Sequence, residues 1–418
     1  MISVNEIRQM FPLLSRQIYG KQLIYFDNAA TSQRPQSVLD LWNRLSTQSN
    51  ANIHRGIHRL SEEATAEYEN TRDYVRQFLN AQHREEIVFT SGTTAAINLV
   101  AFSFGEAFVG EGDEVIVSEV EHHSDIVPWQ MMCQRKKAVL KVLKVDDSGH
   151  LMVDSLNSLI TEWTKIVAVT QISNVLGIVN PIDRIVEICH SKGVPVLVDG
   201  AQGIIHHGMD VTKTDCDFYA FSGHKIYAAT GVGVLYGKKK WLDKMPPYMG
   251  GGEMIATVKF SGTTYAPLPE KFEAGTQNFT GVPTLRPAIE MALMMRDESL
   301  TKYCDGVKEY LMEELMKDER ITLYGVPSSM EELYGVPSSM EEKIPLFSIS
   351  VKGAHHEDLA LILDKMGIAA RSGQMCAEPC MDRFGVTGML RLSLAPYNTM
   401  EEAEYFIKSL DKAVKMLQ

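Results

Sequence analysis

The chain has no surplus of positive charge. Its 418 residues carry 41 Lys and Arg against 53 Asp and Glu, a formal net charge of -12. A protein that tracks nucleic-acid phosphates needs a basic face, so no nucleic acid is expected as partner, although a local basic pocket for a small anion stays open. No uninterrupted apolar run approaches a membrane span, so no membrane partner is expected either. The first residues, MISVNEIRQMFPLLSRQ, lack the charged start and apolar block of a secretory signal, and Glu6 comes early for a transit peptide. Their alternation suits an amphipathic helix, and a cytoplasmic protein is the expectation. Cysteine is scarce, with six residues at 133, 189, 216, 304, 376 and 380. They are too scattered for a disulfide framework, and no metal site is expected. What is plentiful is apolar surface, 45% against 22% charged, enough for a core without staples.

Strand-like and helix-like segments alternate through the first two-thirds. EEIVFT (85–90), DEVIVSE (113–119), KIVAVTQ (165–171), PVLVDG (195–200), DFYAFSG (217–223) and GVGVLYG (231–237) read as strands. Helix-like GTTAAINLVAFSF (92–104) and DRIVEICHSKG (183–193) fall between them. This order predicts an α/β fold whose parallel or mixed sheet is covered on both faces, with ligands at the carboxyl ends of the strands. After residue 284 the pattern changes to one long helix over 284–318, strands ITLYG and IPLFSISVKG, a helix over 356–366, GIAARSG, LRLSLA and a final helix over 399–417. That reads as a smaller α+β domain (285–418), beside a large domain (25–284) and an N-terminal segment (1–24) packing with the small one. The decapeptide LYGVPSSMEE (323–332) recurs letter for letter at 333–342. Two copies are too few for a solenoid, and the second reads as an insertion in a surface loop.

Six elements carry chemistry. Lys225 ends the string FSGHK, where a strand meets the crevice; desolvation there lowers an amine's pKa and readies it for Schiff-base formation. Asp199 ends the apolar VLVD, and a buried carboxylate at that place needs a cation. Thr93 and Thr94 open a helix after Ser-Gly, an anion cradle of backbone N–H groups and hydroxyls. His122, in VEHHSDIVPW, suits stacking or proton transfer. Cys376, in ARSGQMCAEPC, is a thiol with an arginine nearby that favours its thiolate. Arg391 is a charge inside an apolar strand, where a carboxylate suits its fork. Singly these are a loop lysine, a turn aspartate, a helix cap, a core histidine, a loop cysteine and a paired arginine. No bland reading explains them together.

With FDNAATSQRP (26–35), HRGIHRLS (54–61), VLVDGAQ, FSGHK, FEAGT, RSGxxCA and APYNT (395–399), the chain resembles the cysteine desulfurases of the class V aminotransferase family, most of all their SUF-type (group II) members. The resemblance implies the PLP-dependent transferase fold type I, with a mostly parallel seven-stranded sheet in the large domain. It implies pyridoxal 5'-phosphate (PLP) as cofactor, with Lys225 its Schiff-base lysine, Asp199 on the pyridine nitrogen and Gln202 on the phenolic oxygen. His122 would stack on the ring, and Thr93, Thr94, Ser222 and His224 would bind the phosphate. Thr276 of FEAGT would reach the phosphate of a second subunit, so a homodimer is expected. Asn174, Arg371 and Arg391 would lie near the substrate L-cysteine, the two arginines on its carboxylate. Cys376 would take the sulfur as a persulfide, and a sulfur-acceptor protein of the SUF system would collect it for iron–sulfur cluster assembly.

The chain departs from the family pattern at three places. Gln374-Met375 stand where His-His is frequent, Ala228-Ala229 where Gly-Pro is common, and Cys380 where an apolar residue is usual. A selenocysteine lyase, with L-selenocysteine as substrate, or another PLP lyase of the family is the alternative enzyme. A non-catalytic scaffold of the assembly machinery is the alternative from another class.

Deleting residues 333–342 is expected to leave soluble yield and basal turnover near those of the full chain. Expression and assay of the deletion variant check this; a large loss of soluble protein would mean that the second copy is packed.

Overall fold

The computed structural model describes residues 2–326 and 343–418. The second decapeptide copy, and the expectation built on it, lie outside the described residues.

Seven strands make the main sheet: β1 (Ile87–Thr90), β2 (Glu114–Ser118), β3 (Val139–Leu143), β4 (Thr164–Thr170), β5 (Val196–Asp199), β6 (Phe218–Ser222) and β7 (Gly233–Gly237). Their spatial order is β1-β7-β6-β5-β4-β2-β3. Only β7 runs against its neighbours, β1 and β6; the remaining pairs are parallel. β-Branched runs such as IVFT and EVIVS fit this pleated setting. Because side chains alternate across a strand, successive residues feed two different cores. Ile116, Val167, Val169, Val196, Val198, Tyr219 and Phe221 enter one. Val115, Val117, Ile166, Ala168, Leu197, Phe218 and Ala220 enter the other. Both faces are therefore buried, which parallel sheets require.

The helices match that geometry. Ile182–Ser191 buries Ile182, Ile185, Val186 and Cys189, one stripe at helical spacing. Helix α1 (Arg59–Phe78) buries Ala64, Tyr68, Arg72 and Val75. Helix α2 (Thr93–Phe108) follows β1 and is apolar nearly all round, as its buried place against the sheet demands. The expected single helix over 284–318 is two helices, Leu285–Met294 and Glu298–Lys317. The break is chemical: the Asp297 side chain accepts hydrogen bonds from Ser299 N and Leu300 N and caps a new helix. Strand β3 escaped sequence reading because its lysine and exposed Val139 and Val142 blur the pattern of an edge strand.

A second, antiparallel sheet joins β8 (Ile321–Tyr324), β9 (Leu346–Val351), β10 (Arg371–Gly373) and β11 (Met389–Ser393) in the order β8-β9-β11-β10. Helices Glu298–Lys317, His356–Lys365 and Met400–Leu417 share a core with it, and Ile24 and Phe26 enter the same core. Ser393 N donates to Phe26 O, tying residues 24–27 to β11. Among the described residues no helix is long and apolar enough to cross a membrane.

One ion pair locks α1 to the sheet. Arg72, fully buried, donates to Glu273 Oε1 and Oε2 at 2.7 and 2.9 Å and to Ile87 O at 2.8 Å. Glu273 also accepts from Phe89 N and Tyr68 Oη. Arg72 also donates to Glu69 Oε2 at 3.0 Å, so Glu273→Ala leaves the buried guanidinium only this partly exposed partner and is expected to cost about 3 kcal/mol of stability. Urea denaturation checks this; replacing both residues by apolar ones is expected to cost less than Glu273→Ala alone.

Candidate active site

The carboxyl ends of the parallel strands converge on a cavity of about 350 Å³. Thr93 and Thr94 come from the start of α2, His122 from beyond β2, Thr170 and Asn174 from the end of β4 and beyond, Asp199 from the end of β5 and Gln202 from beyond it. Ser222, His224 and Lys225 come from the end of β6 and the turn after it. Ala29 and Ala30 and, from the second sheet and its turn, Arg371, Met375, Cys376 and Arg391 close the cavity. Every site residue named from sequence lines this cavity except Thr276, which is exposed on the surface of the chain.

One end of the cavity suits an anion. Gly92 caps α2 without a side chain, leaving the first-turn N–H groups open apart from Thr93 N, which donates to Ser222 Oγ at 2.8 Å. Thr93 Oγ1 lies 2.8 Å from the same hydroxyl. A Cβ at residue 233 would fall 2.4 Å from Gly92 Cα, so glycine there is what lets β7 pass the cradle. His224 Nδ1 meets Thr31 Oγ1 at 3.3 Å, and burial together with Lys225 and Arg34 pushes the ring down to about 4. It is therefore an uncharged imidazole at neutral pH.

At the centre, Asp199 is buried and its Oδ1 accepts from Ala201 N at 2.8 Å. Its other oxygen has no protein donor among the described residues, and burial raises its pKa. A carboxylate so placed calls for a cationic partner in the cavity. Burial also lowers Lys225 to about 8, with Arg391 pushing the same way and Asp199 and Cys376 opposing. His122 Nδ1 accepts from Ser124 N at 3.1 Å, so a neutral ring carries its proton on Nε2. Burial, Lys225, His123 and Arg391 push it to about 4. Behind it Glu121, fully buried, accepts from Ser118 Oγ and from Thr170 N. Burial raises Glu121 to about 8, and burial beside Glu121 and Asp199 raises Asp125 as well, so this acid pair keeps a proton at neutral pH.

At the mouth, Asp27 accepts from Arg371 Nη2 at 2.6 Å and from Arg391 Nη2 at 3.3 Å. Sequence reading passed over Asp27, although FDNAATSQRP contains it; only the tertiary fold brings residue 27 beside residues 371 and 391. Two guanidiniums on one carboxylate leave a positive charge for an incoming anion. Arg391 is buried, donates to Asn174 O at 2.8 Å, and is lowered to about 10 by burial. Cys376 is the one exposed cysteine. Cys380 is buried in α3 (Glu378–Phe384), where burial lifts its thiol to about 12. Burial also raises Cys133 to about 11 and Cys189 and Cys304 to about 12.

The family model for aminotransferase class V matches residues 24–406. The chain is 42% identical over 416 residues to a cysteine desulfurase of Escherichia coli O127:H6, covering 99% of each. It superposes on the cysteine desulfurase CsdA (S-sulfonic acid) of Escherichia coli with a TM-score of 0.89 and 36% identity, covering 100% of both chains. The apo cysteine desulfurase of Thermococcus onnurineus NA1 gives 0.91 and 34%, covering 100% of this chain and 99% of that one.

A lowered Lys225 is neutral above about 8 and charged below it. In cofactor-free protein its rate of acylation by a small amine reagent is expected to rise about tenfold per pH unit and to level off above that value, while exposed lysines keep gaining toward about pH 10. Peptide mass spectrometry at Lys225 checks this; a profile like that of the exposed lysines would contradict the desolvated amine.

Proposed function

Because the chain belongs to the class V aminotransferase family, we propose that it is a cysteine desulfurase, converting L-cysteine to L-alanine and passing the sulfur through a persulfide on Cys376. The fold is the type I fold of PLP-dependent enzymes, and the cofactor is PLP. The cavity fits that group: an open helix start for its phosphate, an Asp199 oxygen with no donor among the described residues for its pyridinium, and a desolvated amine lining the same cavity. This combination beside the one exposed thiol is the observation that supports the reading. In it Thr93, Thr94, Ser222 and His224 would hold the phosphate, Asp199 would pair with the ring nitrogen, Gln202 with the phenolic oxygen and Lys225 would bind the carbonyl carbon, while His122 would stack on the ring.

Bound there, PLP supplies an electron sink for charge developing at the substrate's Cα. The chain does the rest. Arg371 and Arg391, with Asn174 between sheet and turn, orient the substrate carboxylate. Lys225, an amine near neutrality, takes the Cα proton and later returns one. The Cys376 thiolate attacks the substrate sulfur; the C–S bond breaks with its electron pair going to carbon, which is protonated as alanine forms. Neutral His122, its ring fixed by Ser124, is a proton carrier at the same place.

The finer readings rest on the same base. We propose the SUF-type (group II) subclass, a SUF-system acceptor protein, a cytoplasmic location, and the division into residues 1–24, 25–284 and 285–418. The active form is a homodimer in which Thr276, exposed on its own chain, completes the partner's phosphate site.

Cys376→Ala is expected to keep the visible absorbance of bound PLP while losing L-cysteine turnover by at least about 100-fold. Mass spectrometry after L-cysteine should find the added sulfur on Cys376, and an acceptor protein should raise multiple turnover more than single turnover. Normal turnover in Cys376→Ala, or sulfur first on Cys380, would overturn the assignment.

A further inference from the structure

The turn that carries Cys376 is strained. Met375 and Cys376 both have φ of +54°, the left-handed region that costs a side chain with a Cβ about 1 kcal/mol or more each. Such a turn persists only where its surroundings fix it, and two residues in the loops after strands of the large sheet do so. Asn174 Nδ2 donates to Met375 O at 2.8 Å. His123 makes the other contact twice: its backbone N donates to Cys376 O at 2.7 Å, and its ring Nε2 accepts from Glu378 N at 3.0 Å. The second bond fixes the tautomer, because an Nε2 that accepts has its proton on Nδ1. His123 itself is held rigidly. Its neighbour Glu121 is bound to Ser118 and Thr170 N, and Asp125 N closes a turn on His122 O. Adjacent imidazoles thus serve two sides of the site. His122 lines the cavity, while His123 grips the cysteine turn at Cys376 O and at Glu378 N.

We infer that His123 is a positioning residue for sulfur transfer: its ring acceptor on Glu378 N and its backbone donor on Cys376 O hold the strained turn so that the Cys376 thiol faces the cavity. This rests on the proposed desulfurase function. It also gives a role to the second histidine of VEHHSDIVPW, which sequence reading left unassigned. With Gln374 and Met375 before the cysteine, no histidine of the turn itself supplies this grip; Gln374 Nε2 instead donates to Glu378 Oε1 at 3.1 Å.

The test compares holoenzyme with His123→Leu, which keeps bulk but removes the acceptor, and His123→Gln, whose Oε1 reaches the place of Nε2. In His123→Leu, amide exchange at Glu378 is expected to quicken about tenfold. Single-turnover transfer of sulfur to Cys376 is expected to slow about tenfold, with KM for L-cysteine and the cofactor absorbance unchanged. His123→Gln should restore both rates. Wild-type exchange and transfer in His123→Leu would overturn the inference, as would a His123→Gln variant as impaired as His123→Leu. Should His123→Leu fail to fold, His123→Asn, polar but too short to reach Glu378 N, takes its place with the same expected losses. If the wild type releases no sulfur from L-cysteine, the functional reading falls, whereas exchange at Glu378 still decides whether His123 holds the turn.

Discussion

An amine taken out of water at the end of β6 sets the terms for the whole site. Lys225 follows a fully buried strand and enters a cavity walled by five strand ends, so its positive charge is poorly solvated and its pKa falls to about 8. The same desolvation raises Asp199 and leaves His122 and His224 uncharged, near 4. Burial thus acts in opposite directions on acids and bases, and at neutral pH it yields a lysine brought close to its titration point, two neutral imidazoles and a carboxylate short of a cation. None of these states belongs to the residue types in water. Each depends on the sheet that excludes solvent from both of its faces.

Charge at the cavity mouth is arranged differently. Arg371 is half exposed and Arg391 buried, and both bond the single carboxylate of Asp27. The surplus guanidinium charge suits an anion at the mouth, while Asp27 limits the cost of burying Arg391. Asp27 sits where the chain crosses from its N-terminal segment to the second sheet, bridged to Ser393. Packing of residues 24–27 against β11 and formation of the anion site are consequently one event.

Cys376 follows β10 of the second sheet, whereas Lys225 follows β6 of the first. Their relative position depends on contacts across the junction: Asn174 and His123, from loops after strands of the large sheet, to residues 375–378, and Arg391 to Asn174 O. A chain that folded both sheets but lost these bonds would keep an intact cavity and an unaimed thiol. The buried acid pair Glu121 and Asp125 belongs to this junction too, since Glu121 ties the histidine segment to Ser118 and to the end of β4.

Much of this was legible along the chain. Alternating β-branched runs located six of the seven main strands to within two residues, because buried parallel strands are apolar on both faces. FSGHK, VLVDG and TSGTT stood out because each sets a polar group directly after such a run, which is where an α/β sheet binds its ligands. Local chemistry hid other features. Asp297 split the expected long helix by capping its second half, and the edge strand β3 carried lysine and exposed valines that obscured its period. What no local pattern contained was proximity. Asp27 beside Arg371 and Arg391, His123 against Cys376 and Glu378, and Cys380 buried while Cys376 is exposed follow from how two sheets pack. The sequence by itself determined which residue types stand at the strand ends, and hence the kind of chemistry. Only the tertiary structure decided their protonation, because pKa follows burial, and the aim of the thiol, because its turn is held by residues some 200 to 250 positions away.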